Sequence, residues 1–216
     1  MDSQAILYKI LMIPAILIAF TFHEYAHAIT ADRLGDKTPR FQGRLTLNPI
    51  SHIDPLGFIM ILIMNFGWAK PVQTNPSAYK NYYKDDLKVS VAGPIANLII
   101  GFIFAILYIV FQKTQLIDGA LFSIIGDMLR ITGYLNCMLF FLNLVPVPGF
   151  DGFHIVRDLF PKFFYNLSDS FTRYQFLIFM VLILPILPGG GSVFYYIVQV
   201  PASYLFYYFQ NFALMF

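Results

Sequence analysis

Charged residues are scarce in this chain. Asp, Glu, Lys and Arg make up only 12% of its 216 residues, whereas about a quarter of the residues in soluble globular proteins are charged. Hydrophobic residues reach 58%, and the mean hydropathy is +0.65. A single soluble core of this size is therefore excluded. The net charge of +2 says little by itself, and we expect no nucleic-acid partner.

Cysteine is almost absent as well. The single Cys137 excludes an intramolecular disulfide framework. A lone thiol among apolar residues is most often a small buried hydrophobe, and this is the environment that we expect for Cys137.

The chain has instead a series of long apolar runs. Helical runs of roughly 18 to 25 residues are long enough to cross the ~30 Å hydrocarbon layer of a bilayer. Residues 117–130 are predicted as an interfacial lead-in to one crossing, and residues 148–173 as a polar loop. We therefore predict an all-α integral membrane protein, a polytopic helical bundle with five to six transmembrane segments. The predicted full crossings are residues 6–31, 89–111, 131–147, 174–187 and 192–216, with a breaker at 188–191 between the last two.

One apolar run is too short to cross. Residues 54–66 would cover about 20 Å as a helix, so we expect a re-entrant or interfacial segment after the first helix. If this run does not cross, eleven of the fourteen Lys and Arg residues fall on one side of the membrane. The positive-inside rule makes that side cytoplasmic and places the N-terminus outside.

The first apolar run contains the sequence HEYAH, residues 23–27. Four positions along an α-helix amount to about 400° of rotation, so His23 and His27 project from one face and can bind one zinc ion together. In an H-E-x-x-H site the glutamate, here Glu24, does not ligate the metal but acts as the proton acceptor and donor. A string this short also occurs by chance in soluble helices. Ionisable groups at membrane depth cost roughly 2.5 to 3.5 kcal/mol each, however, so their presence here indicates a functional site.

A catalytic zinc site usually combines three protein ligands with a water molecule, so the sequence should supply a third ligand. Asp151 is the best candidate, because the helix before it reaches the same side as HEYAH. Pro146 and Pro148 interrupt helical hydrogen bonding there and can turn a carboxylate back toward the membrane. Asn143 could donate a hydrogen bond to the oxyanion of a tetrahedral intermediate. The structural alternatives are a turn or helix cap for Asp151 and an interhelical hydrogen bond for Asn143.

These motifs lead to a family resemblance. HEYAH followed about 120 residues later by NLVPVPGFDG (143–152) resembles the site-2 protease family, zinc metalloproteases that cut other membrane proteins within the bilayer. The similar blocks lie in the correct order between residues 20 and 160, and they match the small prokaryotic branch without a PDZ domain. One departure is Gly149-Phe150, where relatives commonly carry Pro-Leu before the aspartate. The further blocks are GRLTLNPISHIDPLG (43–57), FGWAKPV (66–72) and AGPIAN (92–97).

The resemblance implies a zinc metalloendopeptidase with one zinc ion per chain, bound by His23, His27 and Asp151. It implies Glu24 as general base and acid, and Asn143 as the residue that stabilises the oxyanion or positions the substrate. The implied partners are the lipid bilayer and transmembrane or membrane-associated protein substrates.

The resemblance also implies an organisation and a location. We expect a single membrane-embedded metalloprotease domain over residues 1–216, with a catalytic core at about 6–160 and a peripheral C-terminal helical pair at about 171–216. The expected location is the plasma membrane, with the active site toward the cytoplasmic side.

Other residues keep a structural interpretation beside a functional one. Residues 67–71 are either an edge that receives an extended substrate strand, which the resemblance favours, or a packed loop. The small residues at 92–96 are interpreted as allowing close helix packing. Asn97 is interpreted as forming an interhelical hydrogen bond rather than contacting substrate. His52 and His154 have no partner at ligand spacing and are interpreted as ordinary polar residues.

Two other functional classes stay open from the sequence. One is a non-catalytic membrane protein, either a degenerate relative that binds membrane segments or a transporter, because polar residues within membrane helices also mark transport paths. Retention of Glu24 together with the three ligands speaks against a degenerate binder, which has no need of the base. The other is a membrane zinc enzyme acting on lipid or a small amide, which would share every catalytic residue.

Overall fold

The computed structural model of the chain describes residues 3–64, 66–115, 117–187 and 190–216; the side chains of residues 3–5 and 166–169 are not described. Residues 188 and 189 of the predicted breaker lie outside the described residues. A π-helical turn at Tyr195–Gln199 leads into the last helix. The described residues form helices α1 (Ser3–Leu34), α2 (Thr38–Phe41), α3 (Pro55–Met64), α4 (Tyr82–Thr114), α5 (Gly119–Asn143), α6 (Asp151–Leu159), α7 (Pro161–Arg173), α8 (Gln175–Ile183) and α9 (Val200–Leu214).

Three of these helices are long and apolar enough to cross a membrane: Ile6–Leu34 within α1, α4 and α5. No β-strand occurs among the described residues. The all-α membrane class is therefore confirmed. The count of five to six crossings stays a prediction, since α8 has nine residues and α9 has fifteen.

The crossing formed by α5 differs from its predicted bounds. The sequence suggested an interfacial lead-in at residues 117–130, but α5 runs as one helix through Gly119–Asn143. Asp127 and Arg130, which suggested the interruption, form an ion pair of 3.3 Å between Oδ1 and Nη2, and both are about half exposed. A pair at i,i+3 lies on one side of a helix and stabilises it, so the two charges do not end it.

The segment predicted as a polar loop at residues 148–173 is also different, because it contains α6 and α7. Both helices are amphipathic. The polar residues on one face lower the mean hydropathy of the segment, so its composition resembles that of a loop.

Helices α1, α4 and α5 pack against one another and form the centre of the molecule, with α6 against α4 and α9 against α4 and α5. Small residues allow close approach of these helices. A Cβ atom on Gly101 of α4 would lie 2.9 Å from the Sγ atom of Cys137 on α5. Cys137 is fully buried, as expected for a small apolar residue.

The chain after α3 folds back along this helix. We call residues 66–73 the edge segment. Ile53 and Ala69 form an isolated antiparallel bridge, and the Lys70 amide donates to the His52 carbonyl at 3.0 Å. A Cβ atom on Gly57 would overlap the Trp68 carbonyl oxygen, and one on Gly67 would overlap the Gly57 carbonyl oxygen. Glycine at both positions therefore allows α3 and the edge segment to touch through their backbones.

Candidate metal site

The two histidines of HEYAH meet on one face of α1. His23 and His27 are both buried, and their Nε2 atoms lie 3.1 Å apart. Their rings are nearly perpendicular, with 4.6 Å between the centroids. The i,i+4 spacing thus places two potential ligand nitrogens at one point.

The carboxylate of Asp151 lies at the same point. Its Oδ2 atom is 3.3 Å from Nε2 of His23, and its Oδ1 atom is 3.3 Å from Nε2 of His27. The ligand atoms of the three residues all lie within 4.8 Å of one another. The structure therefore brings together the three ligands predicted from two distant parts of the sequence.

Asp151 reaches the histidines because α6 begins there. It is the first residue of α6, where a negative charge is favoured by the helix dipole. A Cβ atom on Gly152 would overlap the Leu144 carbonyl oxygen, so glycine lets this end of α6 press against the end of α5. Arg157 of α6 pairs with the buried Asp86 of α4 and tethers the helix.

The charge state of Asp151 suits a ligand. Burial by itself raises the pKa of this carboxyl, but positive charge on the facing His27 and His23 rings outweighs burial and holds the pKa below its ordinary value. At neutral pH the side chain is therefore an ionised carboxylate, the form that ligates a metal.

Hydrogen bonds on the far side of each ring determine the tautomers. The Nδ1 atom of His27 lies 2.7 Å from the Val89 carbonyl oxygen, which can only accept, so Nδ1 carries the hydrogen. The Nδ1 atom of His23 lies 2.7 Å from Oδ1 of Asn97. The amide nitrogen of Asn97 donates to the Ala19 carbonyl at 3.2 Å, which fixes the orientation of this amide. Because Nδ1 of each ring is engaged on the far side, Nε2 of each ring faces the centre of the site and can offer its lone pair to a metal ion.

The donor set and the space around it fit a zinc ion. Two lone-pair nitrogens and a carboxylate converge, and the buried Oδ2 atom of Asp151 has no hydrogen-bond partner. Such atoms repel one another unless a proton or a metal ion lies between them, and two His with one Asp is a ligand set that zinc accepts. Gly93 of α4 leaves the room, because a Cβ atom there would overlap Nε2 of His27 and lie 2.6 Å from Cε1 of His23. The sequence had indicated only close packing at Gly93.

A buried polar chain extends behind His23. Asn97, Asn136 and Thr132 are all fully buried. The Asn97 amide donates to Oδ1 of Asn136 at 2.9 Å, and the Asn136 amide donates to the Thr132 carbonyl at 2.9 Å. Asn97 therefore makes the expected interhelical bonds and also orients a ligand ring. Asn136 was missed, although an asparagine within an apolar helix is a signal that the sequence displays.

Glu24 lies beside the ligands and is buried. Its Oε2 atom accepts a hydrogen bond of 2.8 Å from the backbone amide of Val72. The edge segment thus passes over Glu24 and holds one of its two carboxylate oxygens in position.

Asn143, the predicted oxyanion donor, is the last residue of α5. Its amide nitrogen donates at 3.1 Å to the Leu139 carbonyl in the preceding turn of its own helix. His52 is fully buried, and its Nε2 atom lies 2.7 Å from the Thr46 carbonyl. Among the described residues, the group that could hold a metal contains neither His52 nor His154.

An apolar cavity of about 260 Å³ reaches Phe20, one turn of α1 before Glu24. Met12, Ile16 and Phe20 of α1 line it. They are four residues apart on one face of the helix, and Glu24 is the next residue on that face. Gly67 of the edge segment and Phe150, the neighbour of Asp151, line it as well. Three separate segments therefore run from the cavity to the candidate site.

Comparison with known proteins agrees with this geometry. The model of peptidase family M50 matches residues 11–125 and 116–187. YwhC of Bacillus subtilis (strain 168) is 39% identical over 183 residues, which cover 84% of this chain and 83% of that protein. Rip2 of Mycolicibacterium smegmatis is 29% identical over 183 residues, covering 81% of this chain and 67% of Rip2. MJ0611 of Methanocaldococcus jannaschii is 28% identical over 159 residues, covering 71% and 72%.

Each of these three relatives bears the name "putative zinc metalloprotease". No solved structure matches the chain.

Proposed function

The chain belongs to peptidase family M50, the site-2 protease family, and from this we propose that it is a zinc metalloendopeptidase that hydrolyses membrane-protein substrates within or near the bilayer. The observation that carries the proposal is the convergence of His23, His27 and Asp151 beside Glu24. Two of the three ligands and the glutamate belong to a helix that is long and apolar enough to cross the membrane.

We assign the roles of the site residues as follows. His23, His27 and Asp151 hold one zinc ion per chain. When bound, zinc supplies Lewis acidity toward the scissile carbonyl and lowers the pKa of a water molecule. Glu24 accepts the proton of the attacking water and delivers it to the leaving amine, while the Val72 amide keeps its carboxylate oriented.

Asn143 is assigned a hydrogen bond to the oxyanion of the tetrahedral intermediate. In the structure its amide donates to the Leu139 carbonyl. The assignment therefore requires this side chain to rotate away from α5 when substrate binds.

The edge segment is proposed to receive the substrate as an added strand. The amides of Lys70 and Val72 point toward the His52 carbonyl and Glu24. Backbone groups of successive residues in an extended chain point to opposite sides, so those of residues 69, 71 and 73 face the other side. Pro71 is one of these and has no N–H to donate on that side, so a strand paired there would use the backbone groups of the residues on either side of Pro71. An extended peptide can pair along that side, and the adjoining apolar cavity suits an apolar side chain from a membrane segment.

We further propose that α3 and the edge segment form a re-entrant hairpin. α3 has ten residues, about 15 Å of helix, and the bridge of Ile53 with Ala69 brings its two flanks together. The Lys9 ammonium donates at 2.6 Å to the Leu62 carbonyl, so the end of α3 lies against the early part of the membrane helix α1. A segment that enters and leaves on one side preserves the charge bias, which places the site toward the cytoplasm.

The remaining parts of the proposal concern the whole chain. We propose a single membrane-embedded domain over residues 1–216, with its catalytic core at about 6–160. The apolar segments around α8 and α9 form the peripheral pair at about 171–216 and complete five crossings of the plasma membrane.

Zinc content tests the proposed function. We would purify the wild type in detergent without chelators, beside His23→Ala and Asp151→Ala, and measure zinc by elemental analysis. We expect about one zinc per chain in the wild type and much less in both variants. His154→Ala is the matched control, because this histidine is exposed and outside the ligand group, and we expect it to keep its zinc.

Wild type that stays metal-free after zinc is supplied would favour the non-catalytic interpretation. Full retention in Asp151→Ala alone would call for a different third ligand. Glu24→Gln should keep zinc while losing hydrolysis by about 10²- to 10⁴-fold, the usual effect of a general acid–base. This variant is therefore suited to trapping substrates by crosslinking.

A further inference from the structure

Arg44 is a buried cation with an unusual set of partners. Arg44 is only 5% exposed, yet in the described part of the chain it forms no ion pair with a carboxylate. Its guanidinium donates to three backbone carbonyls, those of Ser51, Lys70 and Pro71, the last two at 3.2 Å. Burying a guanidinium is costly unless its donors are satisfied, so this arrangement joins the chain before α3 firmly to the edge segment.

One of these carbonyls belongs to the peptide group that touches Glu24. The carbonyl of Pro71 and the amide of Val72 are parts of one planar trans peptide unit, in which the oxygen and the N–H point in opposite directions. Nη2 of Arg44 binds the oxygen at 3.2 Å, and Oε2 of Glu24 accepts from the N–H at 2.8 Å. A single rigid group thus connects the guanidinium to the glutamate.

We infer that Arg44 is a positioning residue for Glu24, acting through the Pro71–Val72 peptide group. The inference rests on the proposed function, because it gives Glu24 its role as general base. The cation fixes the tilt of this peptide group, and it also polarises the group so that its N–H becomes a stronger donor.

Loss of this contact has a specific consequence. Without the guanidinium, the peptide group is free to rotate, and the Val72 amide no longer holds Glu24 against the ligands. The histidines and Asp151 are held by α1, α4 and α6, which Arg44 does not contact in these hydrogen bonds. Metal binding and the position of Glu24 are therefore expected to separate.

Hydrogen exchange on zinc-supplied, detergent-purified protein tests the inference. We would compare the wild type with Arg44→Gln, Arg44→Lys and Arg40→Gln, measuring zinc content and amide exchange in peptides that cover residues 66–75, α4 and α5. Arg40 is the matched control, since it is exposed, lies four residues away and pairs with Asp32 rather than with the edge segment.

We expect Arg44→Gln to speed exchange in residues 66–75 by at least about tenfold, with zinc content and exchange in α4 and α5 unchanged. Arg44→Lys keeps the charge, so residues 66–75 should exchange more slowly in it than in Arg44→Gln and faster than in the wild type. If Arg44→Gln does not fold, Arg44→Lys provides the test. Arg40→Gln should match the wild type.

Unchanged exchange in residues 66–75 would overturn the inference, and so would an equal increase in α4 and α5, since Arg44 would then support the whole fold. Zinc-free wild type would instead contradict the proposed function, while the exchange comparison would still decide whether Arg44 holds the edge segment.

Discussion

The two sides of Glu24 are built differently. On one side, α4 and α5 hold the His23 ring through the fully buried side chains of Asn97 and Asn136, and α4 holds the His27 ring through the Val89 carbonyl. On the other side, the edge segment is held by backbone contacts, including the glycine contact with α3 and the carbonyls bound by Arg44. Under the proposed function, metal binding and the geometry on the substrate side thus depend on separate contacts. Substitutions should therefore impair one without the other.

The largest effect is expected from Gly93→Ala. Its Cβ atom would overlap Nε2 of His27 and crowd His23, so both ligand nitrogens must move. We expect near-complete loss of zinc, measured by elemental analysis of the purified protein. Gly126→Ala on α5 is the control, because its Cβ atom would lie 3.0 Å from the flexible end of Gln112 and at an ordinary contact distance of 3.8 Å from Phe111. Equal zinc loss in both variants would contradict a specific role for Gly93.

Asn97→Ala should have a smaller effect on the same side. It removes the acceptor that orients the His23 ring, and loss of such a partner typically weakens metal affinity by about 10- to 100-fold. Competition with a chelator measures this affinity. Asn143→Ala, whose amide contacts the Leu139 carbonyl, should bind zinc as the wild type does. A similar loss in both would show that any asparagine removed from these helices weakens the site.

Gly57→Ala should affect the other side and leave zinc in place. Its Cβ atom would overlap the Trp68 carbonyl oxygen and push the edge segment away from α3. We expect faster amide exchange in residues 66–75 with unchanged zinc content. Leu56→Ala, an exposed position on the same helix, should change neither. Loss of zinc in Gly57→Ala would show that the two sides are not independent.

Much of the fold was predictable because it depends on local patterns. The crossings in α1 and α4 follow from the length of their apolar runs, and HEYAH follows the four-residue spacing of a helix. The predictions for residues 117–130 and 148–173 were wrong for a related reason. An ion pair on one side of α5 and the polar faces of α6 and α7 lower the local hydropathy without ending a helix.

The sequence by itself determined the membrane class, the pairing of His23 with His27 and, through its motifs, the family. Only the tertiary structure decided that Asp151 reaches the two histidines, that Gly93 leaves the space beside them and that Arg44 is joined to Glu24 through one peptide group. The physical reason is range: residue spacing controls contacts within a helix, whereas these contacts depend on how segments distant in sequence cross and pack.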